Sequence, residues 1–213
     1  MSQQQQIKDK IINRFLTLYL IDNGFKKKQL RFLSEIKLQK LVFLSERDMQ
    51  NKGLEGFNFY FLRLHYGPYS FDLAKDKAQL ITSGFIEEKT LKPTKDAIYL
   101  MEDFSTVIDR NGEVISNIDS VNCSYATLEL DFLLNKVHGM SWKNATVHDL
   151  PLRTPMLYPL NPSARKVAFD ITDKELDDLA MNLDPDICQE FDEAENDVNE
   201  GRFLTHEQVF SNV

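Results

Sequence analysis

Apolar residues recur at three- and four-residue steps through most of the first 140 positions. This spacing, more than any other feature, restricts the chain to a mainly helical architecture. Ile7, Ile11, Ile12, Phe15, Leu16, Leu18 and Tyr19 predict a helix over 7–21 that ends near Asn23-Gly24, with Gln3–Gln6 as a solvated extension before it. Ser34 is placed to cap a second helix carrying Ile36, Leu38, Leu41, Val42 and Leu44, which ends before Gly53. Ser70 is placed to cap a third over 71–83, closed by Gly84, and Thr94 to cap a fourth with Ala97, Leu100, Met101, Phe104, Val107 and Ile108 on one face. A further helix is expected over 125–137, closing at Gly139.

The period changes between these segments. Phe57, Phe59 and Phe61 alternate and read as a strand or extended arm, with Tyr66-Gly67-Pro68-Tyr69-Ser70 as the turn that follows. Residues 85–88 and 90–92 read as a short hairpin stopped by Pro93, and 113–121 as a strand or loop after the Asn111-Gly112 turn. From Ser141 to Ser163 the pattern dissolves, with prolines at 151, 155, 159 and 162. Helix signals return in the last forty residues. Thr172 with Glu175 forms a capping box, Asp184-Pro185 opens another helix, and Thr205 with Gln208 repeats the box. The fold class expected is mainly α with a small antiparallel hairpin, a winged-helix-like α+β unit, followed by an acidic helical C-terminal extension. The expected division is 1–145 for the helical domain, 146–171 for an irregular Pro-rich arm and 172–213 for the extension.

Charge is spread unevenly over the 213 residues. Residues 172–213 carry 13 acidic and 2 basic side chains, a net of −11, whereas residues 1–171 are at +3. Residues 1–52 hold 11 basic against 5 acidic, including Lys26-Lys27-Lys28. Such asymmetry speaks of partners rather than of fold. The acidic extension reads as a solvated helix, as a tail for a basic protein surface, or as a segment that folds back on the basic N-terminal third.

Several chemistries lack their residues. No GxxxxGK[ST], GxGxxG, HExxH or GxSxG occurs, and His65, His138, His148 and His206 share no metal-ligand spacing. Cys123 and Cys188 stand 65 positions apart without a partner motif, which fits a reducing compartment. The expectation is therefore no enzyme activity, no cofactor and no metal. No stretch reaches the apolar length of a membrane helix and no signal peptide is visible, so a cytoplasmic location without membrane contact is expected. Helix 71–83 followed by the 85–93 hairpin has the outline of a winged helix, which keeps DNA as a candidate partner. Its charges Asp72, Lys75, Asp76 and Lys77 sum to zero, so DNA binding needs Lys26–Lys28 on the same face.

Three segments carry a resemblance. Lys37-Leu38-Gln39-Lys40-Leu41, Tyr66-Gly67-Pro68 leading into a helix, and Leu80-Ile81-Thr82-Ser83-Gly84-Phe85-Ile86 occur in this order over roughly residues 10–145. Together with His138 to Trp142, they resemble the Panacea domain family, which includes the SocA-like antitoxins and phage-associated proteins. The resemblance implies neutralisation of a neighbouring toxin by direct binding, or delivery of that toxin to a protease as an adaptor, with no enzyme activity. Residues 192–209 are similar to the C-terminal stretch of small antitoxins. The expected partner is a cognate toxin with a basic surface, with a second copy of this chain as a further candidate. The residues expected to meet the partner are Tyr66 and Tyr69 in the domain, and Phe191, Asp192, Glu195, Val198, Arg202, Phe203 and Val209 in the tail. The alternative function is a winged-helix-like transcriptional regulator.

Overall fold

The computed structural model describes residues 3–184. Its centre is α1 (Gln3–Lys28), whose Ile11, Ile12, Phe15, Leu16, Leu18, Leu20 and Ile21 are all at most 1% exposed. Every residue of α1 from Ile11 to Gly24 is buried, so the helix has to be wrapped on several sides. The wrapping comes from α2 (Glu35–Lys52), α3 (Phe71–Thr82), α4 (Lys95–Asp103), α6 (Gly112–Tyr125) and α8 (Asp173–Leu183), all of which pack on α1. Two further helices complete the set: α5 (Ser105–Arg110) beside α6, and α7 (Leu130–His138) on α2.

A three-stranded antiparallel sheet covers the other side of α2. Its order is β2-β1-β5, with β1 at Phe61–Leu64, β2 at Gly67–Tyr69 and β5 at Pro155–Leu157. Leu62 lies opposite Tyr69 and Leu64 opposite Gly67, while Phe61 pairs with Leu157 across a register shift. A second small hairpin joins β3 (Ser141–Trp142) to β4 (Ala145–Thr146). The architecture is thus mainly helical with a small antiparallel sheet, the expected class. Among the described residues, no helix is long and apolar enough to cross a membrane.

The caps form where the sequence places them. Ser34 Oγ accepts from Lys37 N, Ser70 Oγ from Leu73 N and Thr94 Oγ1 from Ala97 N, and Thr172 with Glu175 closes a full capping box. Gly53 ends α2 in the left-handed conformation at φ 72.

Other boundaries move, and the cause is tertiary where α6 is involved. Gln3–Gln6 belongs to α1, and α1 runs through Asn23-Gly24 to Lys28. Asn122 of α6 donates to Leu20 O at 2.9 Å and Asn23 donates to Asp119 at 2.7 Å, so α6 holds the helix across the turn signal. Residues 113–121 are helical rather than extended, because Val114, Ile115, Ile118 and Val121 lie on one buried face of α6. The predicted 85–93 hairpin shrinks to a single bridge between Ile86 and Pro93. Leu91 turns inward there, buried at φ 52. The small sheet forms instead before α3, from β1, β2 and the proline-rich segment. The helix begun at Thr94 breaks at Phe104, and the one expected from Tyr125 starts at Leu130.

The proline-rich segment and the start of the acidic extension both lie against α1. Arg165 reaches Asp9 and Glu55, all nearly buried, and Glu55 Oε2 accepts from Phe169 N at 2.8 Å. The extension folds back as α8, burying Leu179, Ala180 and Leu183 while Asp173, Asp177 and Asp178 face outward.

Candidate functional site

Two of the resembling segments and the start of a third element meet where α2 passes the β1-β2 hairpin. Gln39 clamps the hairpin's end by its backbone: Nε2 donates to Ser70 O at 2.9 Å and Oε1 accepts from Ser70 N at 2.8 Å. One helical step on, Lys40 Nζ donates to Pro68 O at 2.7 Å, although the side chain is only 1% exposed. Burial without a counter-charge pushes this ammonium down to about 7. At the start of α2, Glu35 accepts from Tyr69 OH at 2.9 Å and pairs with Lys77 of α3. Lys77 holds the Glu35 carboxyl below its ordinary value, while burial, then Glu35, raises the Tyr69 phenol to about 12.

The hairpin turn is His65-Tyr66, followed by Gly67 at φ 84. Only glycine takes that conformation without strain, and a Cβ there would come within 3.2 Å of the His138 ring. His138, at the end of α7, in turn stands 5.6 Å from His148, ring centre to ring centre. Arg63 of β1 donates to His148 O at 2.7 Å. Burial, then His148, Lys40 and Arg63, pushes the His138 imidazole down from its ordinary value. Two histidines among cations are a poor cation site, and no group of three or more His, Cys, Asp or Glu that could hold a metal occurs among the described residues.

What this scaffold presents outward is aromatic. Tyr66 is 60% exposed at the hairpin turn and Phe71 is 56% exposed at the first position of α3. Tyr69 is half-buried between them in sequence, its ring 5.2 Å from that of Phe71 in an edge-to-face pair. Tyr66 and Tyr69 thus sit on one rigid hairpin. Phe71 was not among the expected contacts, and its signal was local. The position directly after a buried N-cap faces away from the face that holds Leu73 and Leu80. Trp142 packs on the core instead, 5.9 Å from Phe43. Phe191, Asp192, Glu195, Val198, Arg202, Phe203 and Val209 lie outside the described residues.

Helix α3 buries Asp76 and leaves Asp72 and Lys75 exposed. Asp76 pairs with Arg14 at 2.8 Å, and its two lysines each lie within reach of a carboxylate, Lys77 at Glu35 and Lys75 3.8 Å from Asp72. Lys26 and Lys27 pair with Asp22 and Asp119, at the end of α1 that packs on α6. Arg14, where α3 meets α1, is twelve residues earlier, about 18 Å along the helix. No protein-family model, curated protein or solved structure matches the chain.

Proposed function

We propose that this chain is an antitoxin-type binding protein, which neutralises a neighbouring toxin by direct protein–protein contact in the cytoplasm. The observation that carries the reading is the junction at the hairpin. Gln39 and Lys40 spend buried polar groups, and Glu35 a partly exposed one, on holding Gly67–Ser70 in place, and the hairpin so held displays Tyr66, with Tyr69 and Phe71 beside it. Aromatic side chains on a preorganised surface lose little freedom on binding, which is how interface anchors gain affinity. The resemblance to the Panacea domain family supports the same reading, as does the acidic stretch from Asp192 to Glu200, which suits a basic partner.

Co-expression with the adjacent gene, followed by co-purification, tests it. A toxic neighbour should be rescued and retained by the wild-type chain. Tyr66→Ala combined with Phe71→Ala should weaken retention by roughly tenfold or more while leaving the fold intact. Reversing Asp192 and Glu195 to lysine should weaken the complex most at low salt. Rescue without a stable complex would point to a protease adaptor, and a harmless neighbour would remove the reading altogether.

A further inference from the structure

Basic side chains gather behind the hairpin turn without a carboxylate partner among the described residues. Arg63 of β1 is 8% exposed, and its Nε and Nη2 donate to Val147 O at 3.4 Å and His148 O at 2.7 Å. Its Nη1 makes no bond inside the protein and is not shut off from solvent. Lys40 has only Pro68 O for a partner. His138 Nε2 is shielded from solvent and has no partner. His148 is exposed, with its ring 5.6 Å from that of His138.

The charges that act on His138 come from His148, Lys40 and Arg63, all of one sign. Asp149 follows His148 in sequence, but it is exposed, accepts from Thr146 Oγ1 at 2.6 Å and forms no ion pair among the described residues. Arg153 brings a further cation to the edge of this surface: its N–H donates to Arg63 O at 2.7 Å and its exposed side chain is unpaired. A guanidinium cannot release its proton, so a buried one held only by carbonyls still lacks a counter-charge. The site repels a cation, and an apolar occupant leaves Arg63 unanswered. An oxyanion answers it, because guanidinium and imidazole N–H groups both donate to charged oxygens.

We propose that this surface, between β1, the end of α7 and residues 147–153, is a binding site for an oxyanion, carried as a phosphate or a carboxylate group. Arg63 Nη1 and the His148 ring donate to its oxygens from the solvent side. Lys40 and His138 stand behind them, where a bound anion favours their protonated forms. The proposal does not rest on the antitoxin reading. An anion in place supplies the counter-charge that the hairpin carrying Tyr66 lacks.

NMR of the histidine side chains in the full chain tests it, with inorganic phosphate and, separately, acetate as titrants and sodium chloride at matched ionic strength as the control. The His138 and His148 signals should shift together and saturate, with half-saturation at about 10 mM or below. The titration midpoint of His138 should also move to higher pH in the presence of the anion. His148→Gln, at an exposed position, should weaken binding at least about threefold. Arg63→Lys keeps the charge but loses the planar fork, and should weaken it about tenfold. Saturation by phosphate alone would identify a phosphoryl group as the ligand, and by acetate alone a carboxylate. No saturable shift with either anion would overturn the proposal. So would a shift that chloride reproduces, or one that His148→Gln retains at full strength, since the contact is then an adventitious ion only.

Discussion

Two of the junctions that bury a cation do so in opposite ways. At the α2–hairpin junction, Lys40 has a carbonyl for its partner and no carboxylate. At the α1–α3–α8 junction, Arg14 lies between Asp76 and Asp184, with Lys10 closing the cluster. A lysine can meet the cost of burial by releasing its proton, and its pKa falls accordingly. An arginine cannot, so its site must supply the counter-charge. The carboxylates bear part of the cost there: burial outweighs Arg14 and raises Asp76 to about 6. The comparison separates a polar contact that positions a hairpin from a charged knot that ties three elements together.

The largest effect expected is at the knot. Arg14→Met removes the ion-pair partner of buried Asp76 and leaves Asp184 with Lys10, and should cost about 3–5 kcal/mol by urea denaturation at pH 7. Lys40→Met leaves one carbonyl unpaired but removes a buried amine, and should cost about 1 kcal/mol. Equal losses would break the comparison.

Titration sharpens it. Lys40 is lowered to about 7 in the folded protein, against about 10.4 unfolded, so between these values the unfolded chain binds more protons and stability rises with pH. The stability difference between wild type and Lys40→Met should therefore shift toward wild type from pH 7 to 9, by up to about 1.4 kcal/mol per unit. Asp76 has the opposite sign. Its folded value near 6 lies above about 3.9 unfolded, so the folded chain binds more protons and stability falls as pH rises from 4 to 6. Asp76→Asn should flatten that fall, and parallel pH curves for wild type and both variants would show that neither group titrates as burial requires.

A smaller difference is expected between the helix caps at the two junctions. Ser70→Ala removes a fully buried cap that Gln39 also holds, and should cost about 1–2 kcal/mol, against about 0.5–1 for Thr172→Ala at the exposed start of α8. The smallest change in stability, within about 0.5 kcal/mol by thermal melting, is expected for Tyr66→Ala, because its side chain is mostly exposed.

Much of the helical content was legible because caps are local. Ser34, Ser70, Thr94 and Thr172 each meet a backbone N–H three residues on, and no distant residue is needed for that bond. The candidate site was legible only in pieces. Tyr66 and Tyr69 could be named from a turn sequence, but the bonds from Gln39 and Lys40 span 31 and 28 positions. Helix α6 was hidden by its β-branched residues, whose preference for strands yields when a 3.6-residue face finds a core to cover.

The apolar period, the serine and threonine caps and the glycine stops determined by themselves that this chain is mainly helical, and where α2, α3 and α8 begin. Such signals act within a few residues, so the chain carries them in any context. Tertiary structure alone decided that α1 runs past Asn23-Gly24, that the sheet recruits Pro155–Leu157, and that α8 returns to Arg14. Each of those outcomes depends on hydrogen bonds or ion pairs between residues far apart in sequence, and their strength comes from the burial that only the assembled core provides.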